Sequence, residues 1–190
     1  MYNTWGMVTL GDTLSSHTFS FGHNPFSSCI YIMPHALFDA AALGDLERVQ
    51  MLVGGGADKD ATVSHGWTPL YAASCNGHLA VVRYLVDQGA DIEKADSDGC
   101  TPLITASRFG HLEVVRYLLE QGANTDKATD CGWTSLHVAT YHGHLEIVNL
   151  LMAYGADLNV RTNDGRLPID MTYNEEIKQA IRDEPERRRD

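Results

Sequence analysis

Residues 77–95 read GHLAVVRYLVDQGADIEKA and residues 110–128 read GHLEVVRYLLEQGANTDKA, identical at 13 of 19 positions and offset by 33. Two copies at a fixed offset mark a chain built from repeated supersecondary units, each unable to bury its apolar face alone. Outward from this pair the same step recurs in three glycine ladders: Gly44, Gly77, Gly110 and Gly143; Gly56, Gly89, Gly122 and Gly155; Gly66, Gly99, Gly132 and Gly165.

Each unit reads as two helices and a turn. Thr68–Pro69 and Thr101–Pro102 place a hydroxyl N-cap before a proline at the first helical position, where the missing N–H costs nothing. The first helix carries Leu70, Ala72 and Ala73 and ends at Gly77, which accepts the left-handed conformation of a helix terminus. A second helix follows, its apolar face made by Leu79, Val82 and Val86 with Val81 and Leu85 beside them, and Gly89 closes it. The stretch from Asp91 to Gly99 is rich in Asp, Ser and Gly and reads as a projecting turn or hairpin loop.

GWTPLYAASCNGHLAVVRYLVDQGAD, GCTPLITASRFGHLEVVRYLLEQGAN and GWTSLHVATYHGHLEIVNLLMAYGAD resemble ankyrin repeats. The resemblance spans residues 35–183 as five units, 35–62, 63–95, 96–128, 129–161 and 162–183, the outer two departing from the pattern. It implies an all-α solenoid of stacked helix-turn-helix units. The first unit has no threonine–proline cap, and the last has Leu167 where a capping threonine is expected, so the last should fray first. Glu175–Arg182 carries Ile177 and Ile181 among polar residues, the outer face a terminal unit requires. Of the family's cap histidine only His137 remains; Tyr71, Ile104 and Asp170 hold the equivalent positions.

The flanks read differently. Residues 1–34 form a separate N-terminal segment: its first 33 positions hold no Lys or Arg, one acid, Asp12, and eleven Ser, Thr or Asn, with Trp5, Phe19, Phe21 and Phe26 at no sustained period. Such a segment is expected to be disordered or loosely docked, or to fold its aromatics over Leu37 and Phe38. Residues 184–190 read as a charged tail containing Arg187, Arg188 and Arg189, a solvated helix end or coil.

Composition bounds the function. Fourteen basic against 25 acidic residues give a formal charge of −11, which repels nucleic acid. No run approaches 18 apolar residues and the first 30 lack a secretory signal, so a soluble intracellular protein is expected, cytoplasmic with the nucleus open. Cys29, Cys75, Cys100 and Cys131 show no C-x-x-C spacing and suit reduced thiols.

Candidate chemistry dissolves into the repeat. His144 repeats His78 and His111, and His137 belongs to the cap, which leaves His142 without metal-site company. His17, His23 and Cys29 lack a fourth ligand at suitable spacing. No GxGxxG, Walker-type GK[ST] or G-x-S-x-G occurs, and Asp96 and Asp98 sit where turns favour Asp. No cofactor, metal or catalytic residue is expected.

A surface remains. The resemblance implies a groove lined by turn tips and by exposed positions of the first helices: Ser64, His65, Trp67, Cys75 and Asn76; Ser97, Asp98, Cys100, Arg108 and Phe109; Asp130, Cys131, Trp133, Tyr141 and His142; then Asn163, Asp164, Arg166 and Asn174. Trp67, Arg108, Phe109, Trp133 and Tyr141 are residue types enriched at interface centres. Leu151, Asp157 and Asn159 resemble the acceptor pattern for asparaginyl hydroxylation of some ankyrin turns. The expectation is a monomeric, non-catalytic module binding a protein partner with a basic patch, away from membranes. Other readings are an adaptor portion of a larger signalling or ubiquitin-pathway protein, an enzyme using the His137–His144 cluster, and a structural spacer.

Overall fold

The computed structural model describes residues 33–187. The N-terminal aromatics Trp5, Phe19, Phe21 and Phe26, with His17, His23 and Cys29, and the tail residues Arg188 and Arg189 lie outside the described residues.

The cap signals fall where the helices begin. Thr68 and Thr101 accept the backbone N–H of Tyr71 and Ile104 through Oγ1 at 3.0 and 3.2 Å, starting α3 (Pro69–Cys75) and α5 (Pro102–Phe109). At α7 (Ser135–His142) the cap is reciprocal. The Thr134 N–H donates to His137 Nδ1 at 3.2 Å, and the Thr134 hydroxyl lies 2.9 Å from the same nitrogen. An Nδ1 that accepts leaves the proton on Nε2, 3.4 Å from the Arg166 carbonyl, so this buried ring is held neutral. Burial, the main cause, pushes its pKa below the ordinary value.

Each of these helices is followed by a second: α1 (Met33–Leu43) by α2 (Leu46–Gly54), α3 by α4 (Leu79–Asp87), α5 by α6 (Leu112–Glu120) and α7 by α8 (Leu145–Ala153). The chain closes with a 3₁₀ turn, Pro168–Met171, and α9 (Glu175–Arg187). Among the described residues there is no strand. Helices α1, α3, α5 and α7 stack into one layer ending at the 3₁₀ turn, and α2, α4, α6, α8 and α9 form the second. One apolar core runs between them, with Leu37, Leu70, Leu103 and Leu136 in register from one layer and Val49, Val82, Val115 and Val148 from the other.

Three features tie neighbouring units together, and all repeat with the sequence period. The imidazoles of His78, His111 and His144 reach back to carbonyls near the end of the preceding first-layer helix, with Nε2 3.0 Å from Ala42 O, 2.9 Å from Cys75 O and 3.1 Å from Arg108 O. Gly110 makes room for one such ring: its φ is +79° and an added Cβ would lie 2.8 Å from His144. At the turn tips, Ser97 N–H donates to His65 O, Asp130 N–H to Asp98 O and Asn163 N–H to Cys131 O, at 2.8–3.1 Å. Beneath the second layer, carboxylates of Asp60, Glu93 and Asp126 accept the N–H of Asp91, Asn124 and Asp157. Lys94 and Lys127 add bonds to the carbonyls of Asp60 and Glu93.

The ends depart in the way a finite stack requires. Where inner units bury Ala72, Thr105 and Val138, the first exposes Asp39; where they bury Val81, Val114 and Ile147, it exposes Arg48. At the far end Asp170 accepts the Leu167 N–H through Oδ2 at 2.9 Å, replacing the lost threonine cap from the other side. Ile177 stands where His78, His111 and His144 stand, so the imidazole stitch stops before α9. The helix itself begins at Glu175 and runs on to Arg187, past the boundary at 183 expected from the sequence, and Glu184 within it is buried.

A second column is less comfortable. The hydroxyls of Ser74, Ser107 and Thr140 are fully buried and have no hydrogen-bond partner among protein atoms. Removing a buried polar group that lacks a partner removes its desolvation penalty. Ser107→Ala should therefore leave stability unchanged or raise it by up to about 1 kcal/mol in urea unfolding; a loss of that size would mean the hydroxyl is satisfied in solution.

Candidate functional site

The concave side between the tips and the first-layer helices holds a cavity of about 640 Å³ centred on the third and fourth units. Ten of the residues expected from the sequence line it: Cys75, Asp98, Cys100, Arg108, Phe109, Asp130, Cys131, Trp133, Tyr141 and His142. Register explains the convergence, because Cys75, Arg108 and Tyr141 share one position in successive units, and Phe109 and His142 share the next.

Phe109 and Tyr141 are 51% and 57% exposed, large rings the core does not use. Trp133 is half-buried between the two sides, its ring 5.5 Å from Tyr141 edge-on and 6.0 Å beneath the Arg166 guanidinium. Arg108 lies 5.6 Å over Phe109. These contacts fix the aromatic edge before any ligand arrives, and pairs of this kind add about 0.5–1.5 kcal/mol beyond area burial.

The cavity wall is largely uncharged. Burial, chiefly, lifts the Tyr71 phenol to about 12 and the Cys100 thiol to about 11, with nearby carboxylates adding to it, and burial raises the Cys75 thiol too. Burial first, then Arg108 and His144, lower His142, keeping it neutral near pH 7. The charged lining groups are Asp98 and Asp130 on the tips and Arg108 on the helix side. Cys75, Cys100 and Cys131 are free thiols.

The remaining expected residues lie along the same edge but outside the cavity. Trp67 is wedged between Phe38 and Tyr71 at 6.3 and 6.0 Å, near-parallel to both, so it serves packing between units. Ser64 and His65 form a 3₁₀ tip in which His65 takes a left-handed φ of +62°. Neighbouring tips are pinned by a side chain, Asp96 Oδ1 accepting from Asp98 and Cys100, and Thr129 and Thr162 from Trp133 and Arg166. Val63 at that position has no such acceptor, which accounts for the different turn. Asn76 bonds Ala72 O, Ser97 donates its N–H to the preceding tip, and Asn163 Nδ2 reaches Asp130 O at 2.8 Å. Asp164 and Arg166 form an exposed ion pair, and Asn174 Oδ1 accepts the Glu176 N–H at the start of α9. Asn159 is exposed on the turn after α8, its amide 3.2 Å from Asp157 Oδ1.

Tyr71, Ile104, Thr105, Thr129 and Val138 line the cavity without having been picked out as contact residues. The signal was positional: Tyr71 and Ile104 fill the slot of the buried His137, and their helix face turns toward the groove. Leu43, 73% exposed, continues the Asn76, Phe109 and His142 column into the first unit.

The three histidines have separate surroundings: His137 is buried in its cap, while His142, which lines the groove, and His144, which stitches units together, stack at 6.1 Å. Among the described residues no three His, Cys, Asp or Glu side chains are placed to hold a metal ion. Nor is any described helix long and apolar enough to cross a membrane.

Two layers of paired helices in 33-residue register, with a lined concave side, define a helical repeat solenoid. A family model described as ankyrin repeats in three copies matches residues 37–129 and 96–162, together about two thirds of the chain, and the chain belongs to the ankyrin repeat family. No curated protein matches it. Ankyrin repeats are generic protein–protein interaction modules, so protein binding is the activity the family implies.

Proposed function

We propose that this chain is a non-catalytic binding module of five ankyrin units, the outer two serving as caps, that takes a protein partner into the concave groove of units three and four. The observation behind this reading is the exposure of Phe109 and Tyr141 over the 640 Å³ cavity beside the braced Trp133. Aromatic side chains held rigidly beside a cavity, with arginine on its helix side and carboxylates on its tips, match the residue types of an interface hot spot. The units are already ordered by their stitches, so little conformational entropy is lost on binding. Asp98 and Asp130 at the rim, on a protein of charge −11, favour a partner whose contacting edge is basic.

Affinity capture from the source lysate, comparing wild type with Phe109→Ala/Tyr141→Ala, tests the reading. The double variant truncates exposed side chains, so its circular dichroism and melting should match wild type. Proteins held by wild type should be lost, and a directly measured affinity for any of them should fall by about a hundredfold or more, as hot-spot truncations do. Equal retention by both would place the working surface elsewhere.

A further inference from the structure

Outside the groove, the aromatic residue that stands out is Tyr173, 98% exposed in the short link between the 3₁₀ turn and α9. Its ring is left almost wholly in solvent, with Lys178 Nζ 5.9 Å from the ring centroid. Lys178 and Arg182 line the same shallow cavity of about 330 Å³ that Tyr173 borders. Both cations are held by a single acid: Glu175 is 2.9 Å from Lys178 and 3.8 Å from Arg182. The backbone entering the link is extended, with Thr172 at φ −133° and ψ 152°. Among the described residues the other exposed tyrosines differ, since Tyr141 lies inside α7 and Tyr154 at the end of α8. Asp170, Glu175 and Glu176 flank the phenol in sequence.

We propose that Tyr173 is a phosphorylation site for a tyrosine kinase, and that the phosphate clamps α9 to the end of the array by recruiting Lys178 and Arg182. An accessible phenol on an extended link can enter a kinase cleft without unfolding a helix, and acidic flanks suit a cleft with a basic wall. In the step, the phenolic oxygen bonds to the γ-phosphorus of magnesium-bound ATP and the bond to the bridging β,γ oxygen breaks. ADP leaves, and the phenolic proton passes to a carboxylate of the kinase. The product carries up to two negative charges and three acceptor oxygens beside two cations now shared by one carboxylate. Stronger charge-assisted bonds displace weaker ones, and they bridge the link to the first two turns of α9.

The full chain would be incubated with a broad-specificity tyrosine kinase, magnesium and ATP, with sites mapped by fragment mass spectrometry and amide exchange followed over residues 168–187. Tyr173 should take most of the phosphate found within residues 33–187, Tyr173→Phe should lower incorporation over those residues about tenfold, and exchange in α9 should slow about threefold or more on phosphorylation. The slowing should vanish in Lys178→Gln/Arg182→Gln, with Lys178→Gln alone as the milder comparison. Phosphate found on Tyr141 or Tyr154 with Tyr173 untouched would overturn the site. Phosphorylated Tyr173 with unchanged α9 exchange would overturn the clamp.

Discussion

Leu136→Ala should lower the unfolding free energy of the array by about 2–5 kcal/mol, the range for emptying a fully enclosed leucine site. Leu136 is 0% exposed, and its helix α7 packs on α5 at one side and on the 3₁₀ turn at the other. A cavity there weakens two interfaces as well as one unit, and in a stack whose units contact only their neighbours the whole central block registers the loss. Ile177, also 0% exposed, supplies the contrast. It belongs to α9, which packs on α8 and the 3₁₀ turn with no later unit behind it in the described chain. Ile177→Ala should release α9 in an early, local transition and leave the main transition within about 1 kcal/mol of wild type. Urea unfolding followed by tryptophan fluorescence, with amide exchange over α9, separates the two. Equal shifts of the main transition in both variants would show that the array unfolds as one block.

The second large effect comes from two glycines that look alike in sequence. Gly110 and Gly143 have φ of +79° and +80°, so alanine at either meets left-handed strain of about 1–2 kcal/mol. At Gly110 the new methyl would also sit 2.8 Å from His144, whereas at Gly143 nothing lies within 4 Å, because the residue in the histidine slot is Ile177. Displacing His144 breaks its bond to Arg108 O, adding about 1 kcal/mol or more. Gly110→Ala should therefore cost about 2–4 kcal/mol and Gly143→Ala about half that. If the two variants melt together, the imidazole stitch contributes nothing measurable and φ strain alone accounts for both glycines.

Much of this architecture was legible from one aligned pair of segments. The threonine caps, the glycine stops and the apolar columns all act within a few residues of themselves, so their spacing in sequence is their spacing in space. What the sequence concealed lies between units. His78, His111 and His144 were recognised as periodic, but their partners are carbonyls 36 residues away. The role of Asp60, Glu93 and Asp126 depends likewise on a neighbour one unit along. The groove was partly legible for the same reason. Phe109 and Tyr141 were expected as contact residues and are exposed, while Trp67 and Trp133, each set between a glycine and a capping threonine, diverge. Trp67 has Phe38 and Tyr71 to stack upon, and Trp133 meets Tyr141 edge-on beside an open cavity that both rings line. Nothing in the residue itself distinguishes them; its neighbours do, in its own unit and in the one before.

The absence of a histidine at position 177 also has a mechanical meaning. At each earlier joint an imidazole on the second-layer side bonds across to the preceding first-layer helix; at the last, Ile177 packs in that place, and the bonds across the joint lie on the other side, from Asn163 to Cys131 O and Asp130 O and from His137 Nε2 to Arg166 O. A pull applied to α9 therefore works against apolar packing with no imidazole bond behind it. Peeling of α9 would proceed without touching the cavity on units three and four, whose lining includes no residue of that helix.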